Sequence, residues 1–328
     1  MKRIVALVAG LVSAACLAQT ASLPSYPCHR TAQPPQIDGQ VAGDPAWQTV
    51  PGASGFRALG GSFATAKQTT VQACWDNDAI YIAFTCEEPD AKELKPTVKD
   101  GGPVWTEDGV EVFLQPKGDG QVYQLGVTSG GARGAGEGQP DIAPCSAAAK
   151  IAETSYSLEV RIPFKVLGCG APRPGETWRG TFCRNIYATT SGGDKYSNWS
   201  PLQNRFLEPQ NFGTLSFVEK ALPAAEVAVA TEELNREYRL TLLGKVRDAY
   251  AAGKGYTPAL EEAVKHDEFR KQALGLLAEW QKIEQLNRDA ERAPVLDLRR
   301  SLSGLEKLVQ QSYETKYSYL IDKLLAER

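Results

Sequence analysis

Short runs of β-forming residues, separated by turn residues, fill the first two thirds of the chain, and apolar residues at helical spacing fill the last third. Val71-Gln72-Ala73-Cys74-Trp75 and Ala79-Ile80-Tyr81-Ile82-Ala83-Phe84 flank Asp76-Asn77-Asp78, which supplies turn chemistry, so the pair predicts a hairpin. Val110 to Leu114 predicts another strand, ended by Pro116 and Gly118, and the runs 121–127, 155–162, 178–187 and 213–218 predict more. Many short strands with Gly/Pro turns and no intervening amphipathic helix predict an antiparallel β-sandwich of immunoglobulin-like or jelly-roll type. Beyond residue 220 the period changes. Leu234, Tyr238, Leu242 and Val246 share one helical face. Leu260, Val264, Leu276, Trp280 and Ile283 continue the pattern, and Leu298, Leu302, Leu305, Val309, Tyr313, Tyr317, Leu320 and Leu324 repeat it. Thr257-Pro258 and Ala293-Pro294 fit helix starts. The prediction is a helical hairpin or three-helix bundle.

Composition sharpens that boundary. Of 20 prolines and 30 glycines, 17 and 25 fall at or before position 220. The expected organisation is a leader over 1–18, a linker over 19–32, a β domain over 33–220 and a helical domain over 221–328. The leader rests on Lys2 and Arg3, followed by an apolar run from Ile4 to Ala15. That run is too short for a bilayer core, which needs about 20 residues. Cys16-Leu17-Ala18 offers small residues for a cut after Ala18. The chain is therefore expected to be exported to the periplasm, cell surface or medium. Lipidation of Cys16 is the weaker alternative, because Ser13 stands where a lipobox has Leu. After the cut six cysteines remain, and an even number in an exported chain suggests disulfides whose pairing stays open.

Charge and scarce residues exclude several classes. The net charge is −3, which gives no basic face for nucleic acid. The two histidines are His29 and His266 and the one methionine is Met1. A Ser-His-Asp triad, a three-histidine zinc site or a His/Met haem site can hardly be assembled from these. The glycine-rich stretch 130–138 lacks the GK[ST] ending of a phosphate cradle and reads as a surface loop, as does Gly253-Lys254-Gly255. Asp76-Asn77-Asp78 is shorter than a calcium loop and reads as a turn. Glu107, Asp108 and Glu111 cluster and are the residues a glycoside hydrolase or lyase would use. Exported β domains with loop aromatics have another use, because a flat ring stacks on the apolar face of a sugar while neighbouring amides and carboxylates bond its hydroxyls. Trp105, Trp199 and Phe206 are the candidates, whereas Trp47 and Trp75 read as core.

The order of motifs adds a resemblance. The chain runs from Ile37-Asp38-Gly39 and Ala46-Trp47 through Trp75-Asp76 and Ile80-Tyr81 to Trp105-Thr106-Glu107-Asp108-Gly109-Val110-Glu111-Val112-Phe113. It closes with Trp199-Ser200-Pro201 and Pro209-Gln210-Asn211-Phe212-Gly213. Over about residues 33–219 it resembles the family 9 carbohydrate-binding modules and their family 9-like relatives. The resemblance implies a β-sandwich that holds a sugar end between two aromatic rings. Trp105 takes one ring position and Phe206 the other, where sugar-binding members have Trp. Glu111 matches a carboxylate and Gln124 a glutamine that bond sugar hydroxyls. The expected arginine is Gly126 here, and the following asparagine is Thr128, so a bidentate donor is lost. Trp199 and Arg184 are expected near the same edge. The family's calcium sites are structural, which makes calcium a candidate cofactor whose ligands do not map. Three readings follow. The first is a secreted, non-catalytic protein that binds a polysaccharide or oligosaccharide. The second is a cell-envelope scaffold that self-associates or docks a partner through residues 221–328. The third is a glycoside hydrolase or lyase.

Overall fold

A computed structural model of the chain describes residues 23–61, 67–118, 120–188 and 194–326. The expected leader, with Cys16, lies outside the described residues. Twelve strands form one sheet: β1 (Ser25–Arg30), β2 (Arg57–Ala58), β3 (Thr69–Trp75), β4 (Ala79–Glu87), β5 (Gly109–Gln115), β6 (Tyr123–Thr128), β7 (Arg133–Gly134), β8 (Ser146–Ile151), β9 (Ser155–Pro163), β10 (Thr177–Asn185), β11 (Tyr196–Asn198) and β12 (Gly213–Val218). The order across the sheet is β7-β6-β5-β10-β12-β1-β3-β4-β9-β8, and β11 joins β10 to β2. The two ends of this order meet. Arg133 in β7 donates to the Cys145 carbonyl just ahead of β8, so the sheet curls into a nearly closed, barrel-like form. The predicted hairpin is β3–β4, and Asp76 shapes its turn by accepting the Asp78 and Ala79 N–H groups and the Tyr81 hydroxyl.

Two expectations are corrected here. Ser25–Arg30, read as part of a linker, is a strand near the middle of the sheet, and it runs parallel to both β12 and β3, so the sheet is not wholly antiparallel. Pro27 hid it, since proline is rare inside central strands. The ladder to β3 covers only His29 and Arg30, which leaves Pro27 outside it. The second correction concerns the cysteines. Cys28, Cys74, Cys86, Cys145, Cys169 and Cys183 are all free thiols, and all but Cys169 are buried. They act as small core hydrophobes, the ordinary role of a buried cysteine.

The main core lies inside the curl. Trp75, Phe84, Val112, Leu158, Trp178, Phe182 and Phe217 are at most 1% exposed and pack together. Trp47 is also buried, and its indole N–H donates to Glu159 at 2.6 Å. The other oxygen of Glu159 accepts the Asp38 and Gly39 N–H groups. The Ile37-Asp38-Gly39 and Trp47 motifs are thus tied together by one buried carboxylate.

Five helices follow: α1 (Ala224–Leu234), α2 (Arg236–Lys254), α3 (Thr257–Ala263), α4 (Asp267–Asp289) and α5 (Val295–Ala326). The long ones are α2, α4 and α5. Two short helices join them because Asn235 separates α1 from α2 and residues 264–266 separate α3 from α4. Their core is Tyr238, Leu242, Leu260, Trp280, Leu298 and Leu305 with their neighbours. No described helix is long and apolar enough to cross a membrane.

Candidate functional site

The outward face of β5, β6 and β10 floors a cleft of about 520 Å³, within the usual range for a ligand site. Register sets which residues look into it. Glu111 stands opposite Gly126 and Cys183, Phe113 opposite Gln124, and Asn185 opposite Gly109. These share one face, while Val110, Val112, Leu125 and Phe182 alternate with them and enter the core. Gln124 Nε2 donates to Glu111 Oε2 at 2.6 Å, and Asn185 Nδ2 donates to Glu111 Oε1 at 2.8 Å. Glu111 is only 4% exposed. Burial pushes its carboxyl above the usual range, against the opposing pull of the Asn185 and Gln124 hydrogen bonds. Each oxygen accepts one amide bond, and a carboxylate oxygen has two acceptor sites, so capacity remains for a ligand's hydroxyls.

Aromatic rings wall this floor. Trp105, Tyr187, Tyr196 and Phe206 all line the cleft, with Leu59, Glu137 and Arg205 beside them. Tyr187, Tyr196 and Phe206 form a row of edge-to-face contacts, with centroids 6.4 and 5.8 Å apart. The Tyr187 hydroxyl donates to the Trp105 backbone carbonyl at 3.1 Å, which links this row to the turn that carries Trp105.

Trp105 is carried by a one-turn 3₁₀ segment, Val104–Thr106, seated by buried Val104. That seat requires glycine beneath it. A Cβ on Gly126 would lie 2.5 Å from Val104 Cγ2, and one on Gly134 would lie 2.5 Å from the Gly102 carbonyl. The position where the resemblance led to an expected arginine is thus taken up by the support of Trp105. Gly126→Ala forces Val104 outward. Overpacking of this kind costs about 1–3 kcal/mol, and the shift carries Trp105 with it, so ligand affinity falls by roughly tenfold in titration calorimetry while melting temperature drops by a few degrees.

The remaining carboxylates of the motif shape loops. Glu107 accepts the Thr97 N–H and hydroxyl and the Val98 N–H. Burial would raise its carboxyl, but these bonds hold it below the usual range. Asp108 accepts the N–H groups of Tyr187 and Ala188 and so fixes the Tyr187 backbone. Glu208 accepts the Gln203 and Asn204 N–H groups and folds the loop that presents Phe206. The catalytic cluster of the third reading therefore does not assemble, since Glu111 alone of the three lines the cleft. Asp76, Glu107, Asp108 and Glu208 are engaged by N–H donors, and no group of three or more His, Cys, Asp or Glu is gathered as metal ligands among the described residues.

Of the six candidate binding residues, the structure brings Trp105, Glu111, Gln124 and Phe206 to this cleft. It places the other two in the interior, which corrects their expected position. Arg184 is fully buried and pairs with Glu88 at 3.0 Å, with its guanidinium over the Tyr156 ring. Trp199 is 6% exposed and packs on Phe182 and Tyr26. Asn185, Tyr187 and Tyr196 line the cleft without having been singled out. Strand alternation points to Asn185. Tyr196 lies on a strand of three residues, too short for any pattern.

A curled β-sheet that presents rings around an amide-held carboxylate defines a ligand-binding module. The chain belongs to the carbohydrate family 9 binding domain-like family, whose model matches residues 37–220. The five helices lie outside that match. Among solved structures, the chain is similar to a family 9 carbohydrate-binding module from Caldicellulosiruptor kristjanssonii in complex with cellotriose, with 20% identity over 60% of this chain and 95% of that one and a TM-score of 0.48. It is likewise similar to a family 9 module of that organism in complex with glucose, with 21% identity over 59% of this chain and 96% of that one and a TM-score of 0.48. No curated protein matches the chain.

Proposed function

We propose that this protein binds a neutral sugar ring, free or at the end of a glycan, without chemical change to it. Family membership supports carbohydrate binding. The observation that carries the finer reading is the Glu111 carboxylate at the cleft floor, held by Gln124 and Asn185 and walled by Trp105, Tyr187, Tyr196 and Phe206. Hydroxyl groups donate to a carboxylate in short, charge-assisted bonds. The rings cover the apolar face of the same sugar. Two carboxylates, Glu111 and Glu137, stand against one guanidinium, Arg205, in the lining, so the cleft selects against uronates.

Titration calorimetry of the full chain with glucose, cellotriose and glucuronate tests this. Neutral sugars bind in the micromolar to millimolar range, about −8 to −4 kcal/mol, and glucuronate does not. Silence with neutral sugars from several polysaccharide classes, or preference for glucuronate, overturns the reading. Affinity also depends on pH. Glu111 must be ionised to accept hydroxyl donors, and its carboxyl titrates above the usual range. Affinity therefore falls by up to about tenfold per unit as pH drops through that raised value, so the loss begins at a higher pH than an ordinary carboxylate would give. The sign for stability is opposite. A carboxyl with a raised folded pKa contributes stability below its unfolded value and loses that contribution as pH rises through the folded one.

A further inference from the structure

The helices reach the cleft through one short segment of the β domain. Asn235, between α1 and α2, is 3% exposed. Its side chain accepts the Ser54 N–H at 2.6 Å and donates to the Gly52 carbonyl at 2.8 Å. Thr231 in α1 accepts the Gly52 N–H at 3.3 Å. Gly55 has φ +80° and sits so close to Tyr238 that a Cβ would lie 2.7 Å from the tyrosine's own Cβ. Glu237 then pairs with Arg57 at 3.1 Å. Four side chains of the helical region, Thr231, Asn235, Glu237 and Tyr238, thus grip residues 52–57.

That segment leads directly into the cleft wall. Arg57 and Ala58 form β2, which pairs with β11 in the register Arg57↔Asn198 and Ala58↔Ser197. The Leu59 N–H donates to the Tyr196 carbonyl at 3.0 Å. Leu59 and Tyr196 both line the cleft. β2 has two residues and β11 three. Strands this short are not stable unaided and need packing against another element. β11 also pairs with β10, whereas β2 has β11 as its one partner strand among the described residues, and the support on the other side of β2 comes from Glu237 of α2.

We propose that the helical region braces the ligand cleft, and that Asn235 and Glu237 are positioning residues that hold β2, and through it the Tyr196 wall, in place. The effect on affinity rests on the sugar-binding reading of the cleft, whereas the mechanical link does not. A ring platform works only when it is held within about 0.5 Å of its stacking position. A chain whose brace is loosened must order that wall on binding, at a cost in affinity.

The test uses the full chain with Asn235→Ala and, as a milder change at a half-exposed residue, Glu237→Ala. Amide hydrogen exchange at Leu59, whose N–H is bonded to Tyr196, is read beside Ile82 in the core strand β4. In Asn235→Ala, Leu59 exchanges about tenfold faster while Ile82 is unchanged, and affinity for cellotriose falls by about fivefold, at the low end of coupling between sites. Glu237→Ala shows the same pattern at about twofold, and Glu237→Gln, which keeps an acceptor for Arg57, restores both readings. Unchanged Leu59 exchange in both alanine variants overturns the brace. So does faster Leu59 exchange with unchanged sugar affinity. If the wild-type chain binds no sugar, Leu59 exchange still decides the brace, and the reading of the cleft is what fails. If Asn235→Ala does not fold, Glu237→Ala decides alone.

Discussion

On the proposed sugar-binding reading, replacing Trp105 with alanine weakens binding by at least about thirtyfold and leaves the fold standing. The indole is 38% exposed and lines the cleft. The turn beneath it is anchored by its neighbour Val104, which is 2% exposed and seated over Gly126 and Gly134. Removing the ring therefore takes away a stacking surface and little packing. A central aromatic anchor contributes about 2–4 kcal/mol at a binding surface. Against a total of about −8 to −4 kcal/mol, that loss raises the dissociation constant by about 30- to 1,000-fold, into the millimolar range or beyond it. Melting temperature changes by no more than about 2 °C, as expected for a surface substitution. Two outcomes count against this assignment. A fall in melting temperature of many degrees makes Trp105 a structural residue, and retained affinity moves the stacking to the tyrosine row.

Arg184→Met has the opposite profile, with a large loss of stability and no ligand contact removed. Arg184 and Glu88 are both 0% exposed at the side chain and 3.0 Å apart. Arg184 also donates to the Gln68 and Glu87 carbonyls. Removing one member of a buried pair leaves the other charged in a poorly hydrated interior, at a cost of about 3–5 kcal/mol. Lys67 also donates to Glu88 and moderates the loss toward the lower figure. For a domain of this size that is a fall of about 10 °C in melting temperature. The double variant Glu88→Gln/Arg184→Met recovers a substantial part, because it removes the stranded charge. Thermal unfolding followed by circular dichroism reads both variants. A single variant as stable as wild type means that the pair is dispensable.

Legibility in the sequence tracked the strength of each periodic signal. β3, β4, β5 and β10 were readable because they are runs of β-forming residues set between turn residues. Strand alternation could have placed Arg184 correctly. Trp178 and Phe182 are apolar and lie six and two residues before it, so Arg184 shares their inward phase, while Cys183 and Asn185 share the other. The motif with Trp105, Glu107, Asp108 and Glu111 was visible as a string, but its division of labour was not. Only the fold shows that Glu107 and Asp108 bond loop amides while Glu111 faces the cleft. Trp199 carries no local signal. Its burial depends on Gly213, where a Cβ would lie 2.5 Å from the indole, on a strand 14 residues further along. β1 was missed because proline interrupts its run. The helix count fell short because Asn235 ends α1 through bonds to Gly52 and Thr231, and those partners are distant in sequence or local in a way that propensity does not register.

The parallel seam between β1 and β12 has a consequence for how the chain is made. Ser25 pairs with Thr214 and His29 with Val218, so one of the first strands synthesised waits for one of the last. Until then the sheet has an unsealed gap beside β3 and another beside β10, each with exposed backbone groups. Pairings so far apart in sequence form slowly, because loop-closure entropy must be met before they stabilise anything. A nascent chain that stops short of residue 218 cannot close, and the β domain matures only after nearly all of it has left the ribosome.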